Sequence, residues 1–264
     1  MAPIITLLTD FGIEDGYVAS MKGVILGICS EATLVDISHA IPPQNVRAGA
    51  YVLSSTYKHF PAGTVHLAVV DPGVGTKRRA LALRANRQYF VGPDNGLLSL
   101  ILKENPDWSA RSLNKPVYWR SQVSTTFHGR DIFAPVAAHL AKGLSIESLG
   151  PPSDVITPSW GSVIADGEFL RGEVIHIDHF GNIISNVNRT EMERLSVNQI
   201  LSVSLGSSTL DRFGDAYGEV EAGELFFMFG SSGYLEVAMN LGNAAAALSV
   251  HIGDPVLLHG SISA

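Results

Sequence analysis

Residues 69–79 read VVDPGVGTKRR, and this stretch decides how the chain is organised. It ends an apolar run that is typical of a strand buried inside a sheet. The Asp-Pro-Gly sequence then predicts a tight turn, which places Asp71 at the carboxyl end of that strand. In open α/β sheets, ligands bind at this edge. The alternative is an ordinary surface turn whose two arginines, Arg78 and Arg79, face water.

Short apolar runs alternate with segments of helical period throughout the N-terminal half, which predicts a mostly parallel sheet covered by helices. Strands are expected at residues 4–8, 33–37, 65–70 and 88–91, and helices at 15–28, 42–57, 97–103 and 131–142. The four strands end at or near an aspartate, namely Asp10, Asp36, Asp71 and Asp94. Because parallel strands end at one edge of a sheet, this pattern favours a polar binding cleft there.

The pattern changes after segment 150–161, which is rich in Pro, Ser and Gly and is the best candidate for a linker. Short β-type runs follow at 172–177, 183–187, 200–203, 225–229, 235–238 and 255–258, with one short helix at 190–195. We therefore predict an α/β N-terminal domain with a mostly parallel, Rossmann-like sheet, plus a smaller all-β C-terminal domain, a barrel or sandwich. The predicted boundaries are 1–155, a linker at 156–168, and 169–264.

Composition argues against several classes of function. The 264 residues are 46% hydrophobic, which is enough for a sizeable core. The net charge of -7 disfavours a nucleic-acid partner, because phosphates require a basic face. The single cysteine, Cys29, allows no internal disulfide, fits a reducing compartment and is expected in core packing. No signal peptide or membrane span is apparent, so we expect a soluble cytoplasmic protein.

Two phosphate-binding motifs are missing from the sequence. The GVGTK segment at 73–77 lacks the spacing of a P-loop, and no Gly-x-Gly-x-x-Gly follows the first strand. The first loop offers Asp10 instead, and a carboxylate there can accept hydrogen bonds from both hydroxyls of a ribose. A nucleoside without a pyrophosphate therefore suits this edge. A metal site at His176, Asp178 and His179 is disfavoured, because no cysteine or third histidine lies at ligand spacing.

Two loops of the C-terminal half carry further polar candidates. Asp178 and Asn182 suit an amine and the edge of a base, and Phe180 between them offers a stacking surface. The second loop, GSSGYL at 230–235, taken alone is a simple hairpin turn.

Six motifs, in order, make the chain similar to one known family. They are TDFG at 9–12 with Asp15, VDPGVGT at 70–76, GPDNG at 92–96, FHGRD at 127–131, IDHFGN at 177–182 and SSGYL at 231–235. Together they resemble the S-adenosyl-L-methionine (SAM) hydroxide adenosyltransferases, which are SAM hydrolases related to the fluorinating and chlorinating enzymes. The resemblance implies attack of water or hydroxide on ribose C5′ of SAM, releasing adenosine and L-methionine. It implies no cofactor and no metal, with SAM as the substrate.

The resemblance also assigns substrate-binding roles residue by residue. The ribose hydroxyls fall to Asp10, the methionine amino group to Asp15, Asp178 and Ser231, and the adenine to Phe180 and Asn182. Each of these motifs is weak by itself, and their order carries the assignment.

The hydrolytic members of the family are similar in placing an Asp, an Arg and a His around the attacking water. By spacing, these map to Asp71, Arg78 and His128, with the adjacent Arg79 as a competitor for the arginine role. Which residue accepts the proton of the water is left open. The resemblance further implies a homotrimer, with each active site between the N-terminal domain of one subunit and the C-terminal domain of its neighbour.

Two other functions compete with hydrolysis. A SAM-dependent halogenase, chlorinase-like or fluorinase-like, is the nearest, but a carboxylate at Asp71 would repel a halide. Gly129 also stands where the fluorinating members have a serine. The second alternative is a non-catalytic protein that binds adenosine or SAM, with the cleft intact and no turnover.

Overall fold

Two compact units make up the computed structural model, which describes residues 2–194 and 197–262. The first unit is Met1–Pro158 and the second is Ser159–Ala264. The division falls inside the segment 156–168 that the sequence suggested as a linker. The later part of that segment contains a short strand, Ile164–Asp166, which pairs with the strand that follows it.

The first unit is built on a six-stranded sheet. Its strands are β1 (Ile4–Thr9), β2 (Thr33–Ser38), β3 (Val65–Val69), β4 (Ala80–Ala85), β5 (Gln88–Pro93) and β6 (Trp108–Ser112). Their order is β2-β1-β3-β5-β4-β6, and only β4 is antiparallel to its neighbours. The predicted mostly parallel sheet is confirmed. Strands β4 and β6 were not predicted, because the first is rich in alanine and the second, WSARS, has a weak apolar signal.

Helices cover both faces of this sheet. They are α1 (Tyr17–Ile28), α2 (Val46–Tyr57), α3 (Ser99–Glu104) and α4 (Ala134–Ala141). Helices α1 and α4 share one hydrophobic core with the side chains of Ile5 and Leu7. On the other face α2 approaches closely at Gly49, where a Cβ would lie 3.1 Å from Val70 and 2.9 Å from Leu97. Cys29 is fully buried, so the predicted core packing is confirmed.

The start of α2 differs from the prediction. The sequence suggested that Pro42 and Pro43 open this helix, but the first helical residue is Val46. Gln44 has a φ of +65°, a left-handed conformation that interrupts a right-handed helix. The helix begins after Asn45, whose side chain accepts a hydrogen bond from the Ala48 N–H at 3.0 Å. The prolines therefore shape a loop, and Asn45 is the cap.

Replacing Asn45 with alanine is expected to destabilise the first unit by about 1 kcal/mol, because a buried helix N–H loses its capping partner. The free energy of unfolding in urea measures this effect. Asn243 caps α6 (Ala244–Leu248) of the second unit in the same way, so Asn243→Ala is a matched change elsewhere in the chain. An unchanged midpoint for Asn45→Ala would contradict the assignment of the cap.

The second unit is an antiparallel sheet that nearly closes into a barrel. Its strands are β7 (Ile164–Asp166), β8 (Phe169–Ile177), β9 (Ile183–Asn188), β10 (Val197–Leu205), β11 (Ser208–Leu210), β12 (Leu225–Phe229), β13 (Tyr234–Met239) and β14 (Pro255–Ile262), with helix α5 (Arg189–Arg194) besides α6. The order is β11-β10-β14-β8-β9-β13-β12, with β7 on β8. A bridge between Phe213 and Phe227 links the segment after β11 back to β12. The six predicted strands are confirmed with shifted ends; of the predicted helix 190–195, Leu195 lies outside the described residues.

Apolar side chains from these strands form the core of the second unit, with Val203, Phe227 and Leu258 fully buried. Among the described residues, no helix has the length and apolar character needed to cross a membrane.

Candidate active site

The aspartates near the strand ends of the first unit differ in their surroundings. Asp10 directly follows β1, Asp71 lies two residues after β3, and Asp94 directly follows β5. Asp36 lies two residues before the end of β2, where Lys22 Nζ is 2.7 Å from its Oδ2. The expectation of four carboxylates at one edge is therefore wrong for Asp36. The other three stand at the carboxyl ends of strands.

Asp71 and Arg78 form a buried, forked ion pair. Arg78 Nε donates to Asp71 Oδ1 at 2.9 Å and to Oδ2 at 3.0 Å, and Arg78 Nη2 makes a short contact with Oδ2. The side chains are only 10% and 4% exposed. The guanidinium also lies over the ring of Phe133, 5.2 Å from its centroid. This geometry fixes the plane of the Asp71 carboxylate, as expected of a bidentate arginine pair.

His128 completes the group through the same guanidinium. Arg78 Nη2 lies 2.9 Å from His128 Nδ1. Because a guanidinium can only donate, Nδ1 must accept, and the proton of the neutral ring is on Nε2. Burial lowers the pKa of His128, and the charge of Arg78 lowers it further, against the opposing effects of Asp71 and Asp131. His128 is thus a neutral ring with an available Nε2–H.

The neighbouring Arg79 belongs to a different pair. Its Nε donates to Asp94 Oδ2 at 2.7 Å, and its side chain is 43% exposed. Asp94 also accepts a hydrogen bond from the Ile156 N–H at 2.8 Å. Of the two arginines that the sequence left in competition, only Arg78 contacts Asp71 and His128.

The loop that carries His128 is held by a buried carboxylate. Asp131 is fully buried and accepts hydrogen bonds from Arg120, Arg130 and the Ser124 N–H at 2.7–3.0 Å. Burial alone would raise the pKa of Asp131, but these hydrogen bonds outweigh burial and lower it. A π-helical turn over Gly129–Phe133 follows, so the predicted helix from residue 131 begins regular α-helical geometry only at Ala134.

Asp10 accepts one hydrogen bond, from the Gln44 N–H to its Oδ2 at 2.7 Å. Within the described residues its Oδ1 has no hydrogen-bond partner, so acceptor capacity remains for a ligand. The adjoining loop is fixed by His39, whose Nδ1 lies 2.8 Å from Thr9 Oγ1 and whose carbonyl accepts from the Gly12 N–H. Asp15 is exposed.

An aromatic cleft of about 340 Å³ lies beside this loop and the His128 loop. Phe11, Tyr17 and Phe127 line it, with ring centroids 5.3–5.9 Å apart. Arg130 also lines the cleft and stands over the Phe127 ring at 4.9 Å. The cleft presents flat apolar walls next to a cation, which suits a partly apolar, partly polar small molecule.

In the second unit, loop 178–182 is organised by one carboxylate. Asp178 Oδ1 accepts from the N–H groups of Phe180 and Asn182, both at 2.9 Å, and its Oδ2 accepts from the Asn182 side-chain amide at 2.9 Å. The Phe180 ring is 72% exposed and available for stacking. Ser231 is exposed in the four-residue turn that joins β12 to β13.

Gly181 allows this loop to form. Its φ is +85°, and a Cβ at this position would lie 2.1 Å from the Asn243 side chain. Among residues 2–194 and 197–262, no three His, Cys, Asp or Glu side chains are grouped to hold a metal ion.

Two family models match this chain, one in each unit. The family model described as the SAM hydroxide adenosyltransferase N-terminal domain matches residues 5–150, and the corresponding C-terminal domain matches residues 172–257. This chain belongs to the SAM hydroxide adenosyltransferase family. The resemblance carried by the six sequence motifs is confirmed.

Relatives match along almost the full length of this chain. An (R)-S-adenosyl-L-methionine hydrolase from Thermus thermophilus is 42% identical, covering 95% of this chain and 97% of the relative. A fluorinase from Nocardia brasiliensis is 32% identical, covering 96% of each. The crystal structure of an uncharacterized conserved protein from Thermotoga maritima has a TM-score of 0.88 and 38% identity, covering 96% of this chain and 99% of that one.

In each unit, some residues near the candidates were not predictable from the sequence. Phe11, Tyr17 and Phe127 meet in the cleft from separate segments, and no single motif marks them as a group. Glu236 lies on β13 between apolar neighbours and is only 8% exposed. A charged residue at a buried position of a strand was the available signal for it.

Proposed function

We propose that this protein hydrolyses SAM, with water or hydroxide attacking ribose C5′ to give adenosine and L-methionine. The observation that carries the proposal is the Asp71–Arg78–His128 group, in which a buried ion pair just after β3 meets a partly buried histidine. Close relatives named (R)-S-adenosyl-L-methionine hydrolase support the choice of substrate and reaction. No cofactor takes part, because the sulfonium of SAM already supplies the leaving group.

The place of the group in the sheet supports a ligand site. Strand order reverses between β1 and β3, since β2 lies on one side of β1 and β3 on the other. Asp10 and Asp71 follow these two strands. Ligands of doubly wound sheets bind at such switch points. We accordingly propose a Rossmann-like N-terminal domain of residues 1–155, with a linker at 156–168 and a separate β domain from 169.

The hydrogen-bonding pattern suggests how the water is held. Nε2–H of His128 donates to the water oxygen, while Asp71 has acceptor capacity left for a water hydrogen. Arg78 stabilises the negative charge that develops on the nucleophile. Asp71 is thus the proposed proton acceptor, and His128 the residue that aims the oxygen.

The proposed displacement of methionine by water needs no general acid. The water oxygen forms a bond to C5′ as the C5′–S bond breaks, and the electron pair of that bond goes to sulfur. Methionine leaves as a neutral thioether and needs no proton. The proton of the water passes to Asp71 and then to solvent. Alignment of water, C5′ and sulfur in a closed site supplies much of the remaining acceleration.

For the substrate itself we propose contacts from both units. Asp10 accepts hydrogen bonds from the ribose hydroxyls. The methionine amino group is held by Asp15, Asp178 and Ser231, and the adenine by Phe180 and Asn182. As the family resemblance implies, we propose a homotrimer in which an N-terminal domain and a neighbour's C-terminal domain complete each site. Sedimentation equilibrium with and without adenosine tests the trimer.

Halogenation is disfavoured by two features. A halide would have to approach the carboxylate of Asp71, which repels it. A Cβ on Gly129 would lie 3.3 Å from Met21 Sδ and from Phe127 Cε2, so a serine there has little room. We also propose a cytoplasmic location, which suits the lone buried Cys29.

Incubation with SAM in buffers with and without chloride or fluoride tests the proposal. Adenosine and methionine in equal amounts, at a rate independent of halide, are the expected products on chromatography. A halogenated nucleoside would establish the halogenase instead. SAM that binds in a calorimeter and is recovered unchanged after hours would establish the non-catalytic binding protein.

The pKa of His128 predicts the acid side of the pH profile. At pH values above the ordinary histidine pKa of about 6.5, the ring is neutral in both folded and unfolded chains. Because the folded-state pKa is lowered, the contact with Arg78 persists below pH 6.5 and is lost only as the pH falls through the folded value. We expect kcat/KM to be level above pH 6.5 and its acid midpoint to lie below 6.5.

A variant that cannot titrate at this position tests whether His128 causes the acid step in the pH profile. His128→Asn keeps an acceptor for Arg78 but cannot gain a charge in this range, so its residual activity should lack the histidine step. The prediction is wrong if the wild-type midpoint lies at or above 6.5, or if His128→Asn retains the same step.

A further inference from the structure

A relay of polar side chains lies behind loop 178–182 in the second unit. The Asn182 side-chain nitrogen donates to Asp178 Oδ2 at 2.9 Å and to the Tyr217 hydroxyl oxygen at 3.2 Å. The Tyr217 hydroxyl in turn donates to Glu236 Oε1 in a short contact. Asn182 is 4% exposed and Glu236 8%, whereas Tyr217 between them is 42% exposed, so the two ends of the relay are buried and its middle reaches solvent. Neither Tyr217 nor Glu236 has a role in the proposed chemistry.

The partners determine which way the Asn182 amide is turned. A carboxylate only accepts hydrogen bonds, so the atom facing Asp178 must be the amide nitrogen. Tyr217 donates to Glu236, so its oxygen presents a lone pair to that nitrogen as well. Both amide hydrogens are then used inside the protein. Oδ1 of Asn182 has no hydrogen-bond partner within the described residues, and it is the atom left for a ligand.

Glu236 also lies under the second candidate loop. A Cβ on Gly230 would come within 2.4 Å of Glu236 Oε2, so the glycine makes room for the carboxylate beneath the turn that carries Ser231. Burial raises the pKa of Glu236, and the charge of Asp178 raises it further, while the hydrogen bond from Tyr217 opposes both. A buried carboxylate is costly unless it is hydrogen-bonded. The Glu236 carboxylate therefore contacts the relay behind loop 178–182 with one oxygen and lies under the turn that carries Ser231 with the other.

We propose that Tyr217 and Glu236 are positioning residues that hold the Asn182 amide with Oδ1 toward the base, so that the site selects a 6-aminopurine over a 6-oxopurine. The inference rests on the proposed function, in which Asn182 meets the adenine. An exocyclic amine donates to Oδ1, whereas a 6-oxo group would set two acceptors against each other. A site built for one hydrogen-bonding pattern rejects the other strongly, because a buried group is left unpaired.

Calorimetric titration with adenosine and inosine tests the proposal on the full-length protein. Wild type is expected to bind adenosine at least about 10-fold more tightly than inosine, from one buried hydrogen bond gained or lost. Tyr217→Phe removes the hydroxyl that accepts a hydrogen bond from the Asn182 amide. Glu236→Gln replaces the carboxylate with an amide that can donate to Tyr217, so that the Tyr217 hydroxyl can donate to Asn182 instead. Each change should reduce the preference for adenosine over inosine, measured as the ratio of their affinities, at least about threefold. Glu193→Gln removes one charge from an exposed position of α5 and should leave the ratio and SAM cleavage unchanged.

The ratio separates positioning from simple structural damage, because damage weakens both nucleosides alike. The inference is overturned if both variants keep the wild-type ratio, or if wild type binds the two nucleosides equally. In either case wild-type cleavage of SAM would leave the proposed function intact. A wild type that neither cleaves SAM nor binds adenosine would overturn both together.

Discussion

Asp71→Asn should lower kcat by at least about 100-fold, because a proton acceptor in the transition state contributes 10²–10⁴-fold. The amide keeps the shape of the side chain but cannot accept the proton of the water, and it no longer neutralises Arg78. Steady-state rates of adenosine release at saturating SAM measure the loss. Adenosine affinity should change little, since the proposed ribose and adenine contacts lie elsewhere.

The structure offers a matched control for this change. Asp94 is also a buried carboxylate paired with an arginine, Arg79, but it makes no contact with His128. The control variant is therefore Asp94→Asn. Asp71→Asn leaves the buried Arg78 without its partner, and breaking a buried pair of this kind costs about 3–5 kcal/mol. Asp94→Asn costs less, because the side chain of Arg79 is 43% exposed and water can solvate it. Melting curves should therefore shift in both, whereas kcat should collapse only in Asp71→Asn. Equal losses of kcat in the two folded variants would assign Asp71 to stability rather than catalysis.

Arg78→Ala is expected to have a comparable effect, with a loss of kcat of at least about 100-fold. This change removes the forked pair with Asp71, the contact with His128 and the charge that favours hydroxide. Arg79→Ala is the matched variant one residue away, and we expect its kcat to stay within about threefold of wild type because its pair lies outside the group. A larger loss for Arg79→Ala than for Arg78→Ala would contradict the proposed arrangement.

Much of the fold could be predicted because buried parallel strands are continuous apolar runs. Strands β1 and β3 come close to this pattern, interrupted by Thr6 and His66, and β5 has an apolar centre at Phe90 and Val91. Strand β4 alternates small alanines with leucines, and β6 is an edge strand with little apolar content, so neither gave a clear pattern. The start of α2 depended on the left-handed backbone of Gln44, which a general preference of proline for helix starts does not anticipate.

The candidate site was predictable where motifs kept their order and unpredictable where side-chain direction mattered. Asp71 and His128 followed from the motifs, but the roles of Arg78 and Arg79 depended on which guanidinium turned inward. Adjacent residues in a turn carry no periodicity that would decide this. Tyr217 and Glu236 lay outside the motifs, and they are connected to the site only through hydrogen bonds formed after folding.

In the proposed reaction, water held by Asp71, Arg78 and His128 displaces methionine from C5′ of SAM. Incubation of the wild-type protein with SAM in halide-free buffer made with H₂¹⁸O, followed by mass spectrometry of the products, tests it most directly. We expect adenosine carrying the label in its 5′-hydroxyl and an equal amount of unlabelled methionine. Adenosine formed without label, a requirement for added halide, or SAM recovered intact would contradict it.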